Sequence, residues 1–179
     1  MASNETTKYY SNKQESAIAH DLDWEVVSGS GARPVTPGDI ISDNWLGECK
    51  THTSPNHSIL FDTAVWKKIT DEAMMKHRKP ALFVDDGSQK LSNTWVVCYL
   101  HSIDASQLML FPYEEFRCVR KNITFNGDKA ADYFKERRSD MSEDISELCP
   151  LNGFITDWNN SKTKVVILDY YTFKEVSES

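Results

Sequence analysis

The sequence predicts an α/β fold, a mixed central β-sheet flanked by α-helices. Three observations predict it. An opening helical stretch is followed by three short strand-type runs, a second helical stretch ends before Pro80, and the apolar runs Ala81–Val84 and Trp95–Leu100 have the character of buried strands. That order excludes a helical bundle and an all-β barrel. The chain has 179 residues, enough for one domain, and is 40% hydrophobic with 7 Gly and 6 Pro, a globular composition.

Residues 1–10 are polar without apolar periodicity and predict a loose arm, ahead of a core over 11–104. A helix is expected from Asn12, a suitable N-cap, with Ile18 and Leu22 spaced i, i+4. Glu15 falls on the same stripe, which either buries an acid or leaves it at the margin of a slightly rolled helix. Trp24–Val27 predicts a strand ending in the turn Ser28-Gly-Ser-Gly31. Asp39–Ser42 and Trp45–His52 form a hairpin through Asp43-Asn44. Alternation places Leu46, Glu48, Lys50 and His52 on one face of the third strand and Trp45, Gly47, Cys49 and Thr51 on the other.

Val65, Trp66, Ile69 and Ala73 recur at helical spacing, with Asp62 or Thr63 as the start and Pro80 as the stop. The polar segment Asp85–Lys90 separates the two buried strands. Residues 105–160 predict an insertion or small subdomain, with a strand over 116–125, a turn at Asn126-Gly127 and a helix over 129–148. Residues 161–179 close the fold with a strand over 164–171 and a short turn.

Composition narrows the function classes. No apolar run reaches the ~20 residues of a membrane span, and the polar start lacks the apolar stretch of a signal peptide, so a cytoplasmic protein is expected. Cys49, Cys98, Cys118 and Cys149 lack the paired spacing of a zinc site and are expected to be reduced thiols. The net charge is −7, which argues against generic nucleic-acid affinity. Within 50–80, however, Lys50, Lys67, Lys68, Lys76, Arg78 and Lys79 face only Asp62, Asp71 and Glu72, a stripe that suits either a solvated helix face or a phosphate track.

Glu15, Asp39, Glu48 and Lys50 form the constellation with chemical content. An acid on a leading helix, an Asp opening one strand and Glu-x-Lys on its hairpin partner converge by period-two geometry and strand pairing. Carboxylates beside a lysine make a hard-oxygen site suited to Mg²⁺ or Mn²⁺, ions that also coordinate phosphate. The same residues also suit a surface salt-bridge patch.

On Lys13-Gln-Glu15, Ser28-Gly-Ser-Gly-Ala32, Pro37-Gly-Asp39 and Gly47-Glu-Cys-Lys50, the chain resembles the PD-(D/E)-x-K nuclease superfamily, and within it the small Holliday-junction resolvases of archaea and phages. The likeness spans about residues 12–104 and the last strand, Val165–Leu168 with Phe173. It departs from the family in replacing the literal Pro-Asp pair by Pro37-Gly38-Asp39. The resemblance implies a restriction-endonuclease-like fold and a Mg²⁺- or Mn²⁺-dependent endodeoxyribonuclease of DNA recombination or repair, acting on four-way or other branched DNA as a homodimer. Glu15, Asp39, Glu48 and the Cys49 carbonyl would hold the metal, and Lys50 would orient or deprotonate the attacking water. Ser28, Ser30, Arg33, His52, Lys67 and Lys68 would contact DNA. Trp45 and Trp66 are expected in the core or a dimer interface. The alternatives are a repair or restriction-type endonuclease on the same fold, and a catalytically idle DNA-binding or protein-interaction module.

Overall fold

A computed structural model describes residues 4–28, 37–56, 58–118, 121–160 and 162–178. The chain opens with α1 (Asn4–Leu22), whose buried residues Gln14, Glu15, Ile18, Ala19 and Leu22 recur at helical spacing and form one stripe. β1 (Glu25–Val26), β2 (Ile40–Ile41) and β3 (Trp45–Lys50) follow as an antiparallel meander. Next come β4 (Ser58–Phe61), α2 (Thr63–Met75), β5 (Lys79–Asp85) and β6 (Thr94–Tyr99). The remainder is β7 (Leu108–Pro112), α3 (Tyr113–Phe116), β8 (Ile123–Asn126), α4 (Gly127–Ser139), α5 (Glu143–Leu148), β9 (Leu151–Thr156), β10 (Val165–Asp169) and α6 (Tyr170–Ser177).

Among the described residues the main sheet has 8 strands in the order β1-β2-β3-β5-β6-β10-β9-β7, and β4 pairs with β8 beside it. The fold is α/β, with a mixed sheet between helices. β3 is buried on both faces. Leu46 joins Trp66, Ile69 and Ala73 of α2 on one side. Trp45 and Cys49 join Ile18 and Leu22 of α1 and Phe173 of α6 on the other. Each large apolar side chain so enclosed contributes about 1.5–3 kcal/mol of transfer free energy. β3 and β5 are parallel neighbours, with Glu48 opposite Leu82 and Lys50 opposite Val84, and the chain between them crosses over through α2. The Asp62 carboxylate starts α2 by accepting from the N–H groups of Ala64 (2.8 Å) and Val65 (3.1 Å).

Several elements differ from the sequence expectation. α1 begins at Asn4, so residues 4–10 are helical and Asn12 lies inside the helix, not at its cap. α2 ends at Met75 and Pro80 lies within β5, where residues 79–85 form a buried strand. Asn126 does not open a turn: its side chain accepts from the Lys129 N–H and caps α4. The helix expected over 129–148 is two, because the chain turns between Ser139 and Glu143. The strand expected through Tyr171 stops at Asp169, whose side chain caps α6 by accepting from the Thr172 N–H at 3.0 Å. Residues 105–160 also supply β7 and β9 to the main sheet, and Phe111, Phe125, Phe134 and Phe154 to the same core as Leu46. Trp45 and Trp66 are core residues. The four cysteines are free thiols. No described helix is long and apolar enough to cross a membrane.

Gly47 sits between the two faces of β3, and a Cβ there would lie 2.7 Å from Ile40 Cγ1 and 3.0 Å from Phe83 Cε2. Gly47→Ala is therefore expected to destabilise the protein by about 1–3 kcal/mol through overpacking. Urea unfolding reads this, and an unchanged midpoint would show that the β2–β3 layer yields freely.

Candidate active site

Three pieces of backbone meet at the carboxyl end of β3. The buried stripe of α1 carries Gln14 and Glu15 there, and the Gln14 amide donates from Nε2 to the Lys50 carbonyl at 2.8 Å, fastening helix to strand. Asp39 precedes β2, and its Oδ2 accepts the Cys49 N–H at 2.8 Å. Within β3, Glu48 and Lys50 share a face, and Lys50 Nζ donates to Glu48 Oε1 at 2.6 Å. Glu48 is almost fully enclosed, its side chain 5% exposed, whereas that of Lys50 is 48% exposed. The ammonium thus faces solvent while its acid partner is held inside.

α2 completes the ring of charge. Lys68 Nζ lies 3.5 Å from Glu48 Oε1 and 3.8 Å from Glu72 Oε1. Glu72 Oε2 in turn accepts the Gly38 N–H at 3.1 Å, which anchors the residue before Asp39. Gln14 and Glu72 received no role from the sequence. The i, i+4 spacing of Lys68 and Glu72 is the only sequence signal of the second contact, and Gln14 stood in the quoted motif without one.

The acids are electrostatically crowded. Burial first, then the negative charges of Asp39 and Glu48, push the Glu15 carboxyl up to about 7, against a smaller opposing pull from Lys50. Asp39 is also raised, by burial and then by Glu48, with the Cys49 N–H and Lys50 working in the other direction. For Lys50, burial acts to lower the value, but the charge and hydrogen bond of Glu48, followed by Asp39, outweigh it and raise it. Lys50 is therefore a cation here. This favours attraction and orientation over proton abstraction.

The chain leaving the site is pinned as well. The Thr51 hydroxyl donates to Asp85 Oδ1 at 2.6 Å and the Gly87 N–H to the same oxygen at 2.7 Å. Gln89 Nε2 donates to the carbonyls of His52 and Gly87, at 3.0 and 2.7 Å. Asp85 is fully buried at the end of β5.

The residues expected to touch DNA are less unified. Lys68 belongs to the site. Lys67 projects on the outer side of α2 and pairs with Asp71 at 2.6 Å. His52 is tied by its carbonyl, and its ring has no hydrogen-bond or ion-pair partner among the described residues. Ser28 is exposed after β1, while Ser30 and Arg33 lie outside the described residues.

Among the described residues no three His, Cys, Asp or Glu side chains are gathered as a preformed metal cage. The donor chemistry nevertheless fits a hard divalent cation. Glu15 and Asp39 are oxygen donors raised first by burial and then by neighbouring acids, and Glu48 already draws two ammonium groups.

Glu15 gives a signed prediction for the metal-free protein. Its folded value, about 7, lies above the unfolded one, so its contribution to stability is fully present below about pH 4.5 and is lost as pH rises through 7. Glu15→Gln, which cannot ionise, should match wild type near pH 4.5 and exceed it by about 1–3 kcal/mol at pH 8 in EDTA. Urea unfolding at both pH values measures this, and a variant weaker than wild type at pH 8 would contradict the crowding.

Compared with known proteins, the chain matches no protein-family model, no curated protein and no solved structure.

Proposed function

We propose that the chain is a metal-dependent endodeoxyribonuclease acting on branched DNA, with four-way junctions as the favoured substrate. One observation carries the reading: Glu15, Asp39, Glu48 and Lys50, supplied by α1, the lead into β2 and β3, lie near enough to one another at the carboxyl end of β3 for their charges to interact. A buried cluster in which Asp39 and Glu48 push Glu15 up and Glu48 pushes Asp39 up costs stability, and a surface salt bridge contributes only about 0–1 kcal/mol in return. Such crowding is characteristic of sites that handle charge. The fold supports the reading too, since a helix, a β-meander bearing the acids and a crossover helix precede a parallel strand, as in the restriction-endonuclease-like architecture.

Glu15, Asp39 and Glu48, with the Cys49 carbonyl, would hold Mg²⁺ or Mn²⁺. When bound, such an ion lowers the pKa of water and neutralises charge on a phosphoryl group. The chain's own groups do the rest. The Cys49 N–H holds Asp39 in register with Glu48. Lys50, half exposed and cationic, attracts the scissile phosphate and orients the attacking water. Lys68, 3.5 Å from Glu48 Oε1, would have to yield that oxygen to a bound ion. Two symmetric scissile phosphates on a junction call for two copies of the site, hence a homodimer.

The neutralisation of Glu48 by both Lys50 and Lys68 favours a second reading, an idle DNA-binding or protein-interaction module on the same scaffold. A repair or restriction-type endonuclease shares the site but not the substrate.

Cleavage assays on a synthetic four-way junction and on linear duplex, with Mg²⁺, Mn²⁺ or EDTA, separate these readings. Wild type should cut the junction only with metal, and Glu48→Ala or Lys50→Ala should lose about 10²-fold or more of the rate while still binding DNA. Preferential cutting of linear duplex would favour the repair or restriction enzyme. Absence of metal-dependent cutting on any DNA would favour the idle module.

A further inference from the structure

Among the described residues two buried side-chain oxygens have no hydrogen-bond partner, Gln14 Oε1 and Asp85 Oδ2. Both side chains hold the same peptide by their other polar atom. The Gln14 amide donates to the Lys50 carbonyl at 2.8 Å, and Asp85 Oδ1 accepts the Thr51 hydroxyl at 2.6 Å. They also lie on one face of the sheet. Cys49 of β3 and Phe83 of β5 pack with Ile18 of α1, and Thr51 and Asp85, two residues further along each strand, fall on that same side. The Lys50 carbonyl requires the nitrogen end of the Gln14 amide, so the atom left over is an acceptor.

Buried polar atoms are ordinarily paired, and an unpaired one is costly. An ionised Asp85 would bury a charge and leave a second acceptor beside Gln14 Oε1. A neutral acid supplies what is missing, an O–H donor on Oδ2, while Oδ1 keeps the Thr51 hydroxyl and the Gly87 N–H, the latter at 2.7 Å. The electrostatics agree. Burial raises the Asp85 carboxyl against the pull of its Thr51 and Gly87 donors, and the charge of Asp86 in the same turn raises it further. The other neighbours offer it no ion pair. Lys50 sends its ammonium to Glu48, Thr94 opposite Asp85 on β6 is uncharged, and Glu15, next to Gln14 on α1, answers to Asp39 and Glu48. His52 is the titrating residue beside the turn, since a Cβ at 87 would lie 3.2 Å from its Cβ.

We propose that Asp85 is a positioning residue held in its uncharged form, donating from Oδ2 to Gln14 Oε1 directly or through a water, so that a closed ring of hydrogen bonds fixes the Lys50–Thr51 peptide at the end of β3. Loss of the proton opens the ring and loosens the segment that carries Lys50. Because the folded carboxyl lies above its unfolded value, the ring's contribution to stability is present at low pH and is lost as pH rises through the folded value. The ring stands on its hydrogen bonds alone, and its effect on cutting rests on the nuclease reading.

The side-chain carboxyl ¹³C resonance of Asp85 in the full labelled chain, assigned with Asp85→Asn, reads the proton without any cleavage. It should titrate well above the ordinary aspartate value of about 4, and still do so in His52→Gln, which removes the titrating neighbour. Gln14→Leu takes away the acceptor of the proton and should lower the titration. Asp85→Asn keeps an acceptor and a donor but cannot ionise, so its urea midpoint should match wild type near pH 4.5 and exceed it at pH 8 in EDTA, as follows from the sign above. In cleavage assays wild type should lose kcat, not DNA affinity, relative to Asp85→Asn as pH passes the titration. Absence of cutting at every pH would contradict the nuclease reading and leave the resonance to decide the ring. An ordinary titration, one unmoved by Gln14→Leu, or an Asp85→Asn variant weaker than wild type at pH 8 overturns the proposal even if the protein cuts DNA.

Discussion

A single hydrogen bond, from the Cys49 N–H to Asp39 Oδ2 at 2.8 Å, links residues ten apart across the β2–β3 hairpin and fixes which acids share a space. Without it Asp39 would be free to swing into water, and the repulsion that raises Asp39 and Glu15 would relax. The bond holds because Ile40 and Ile41 pair with Gly47 and Leu46 in a register that Gly47 allows by leaving room for Ile40 and Phe83. The packing of the hairpin and the electrostatics of the site are therefore one constraint.

The neighbouring helices bear on the same point from opposite faces of the sheet. α1 delivers Glu15 and binds the Lys50 carbonyl through Gln14, while α2 brings Lys68 to Glu48 and Glu72 to the Gly38 N–H. β3 is buried on both sides, so neither helix can shift without disturbing a core. The half-exposed Lys50 ammonium is the part of the cluster that reaches solvent, as the proposed approach of a phosphate requires.

The hairpin, the β5–β6 pair and the α2 periodicity were legible in the sequence, because each rests on local alternation or helical spacing that tertiary contacts then reinforce. The position of Glu15 on the Ile18–Leu22 stripe was legible for the same reason, but the 3.6-residue period alone left its burial open between the core and its margin, and the packing of α1 on β3 is what buries it. Residues 105–160 were not. β7 and β9 are short strands that acquire their identity from pairing with each other and with β10, and Asn126-Gly127 serves equally well as a turn or as a cap followed by the first helical residue. The role of Glu72 was hidden because its partner, the Gly38 N–H, lies 34 residues away.

Calorimetric titration of Mn²⁺ into the metal-free protein tests most directly whether the crowded carboxylates form a cation site. The account predicts saturable binding by wild type and its loss in Asp39→Asn, which keeps the shape of the side chain but removes its charge. Binding unchanged by that substitution, or no saturable heat in wild type, would contradict it.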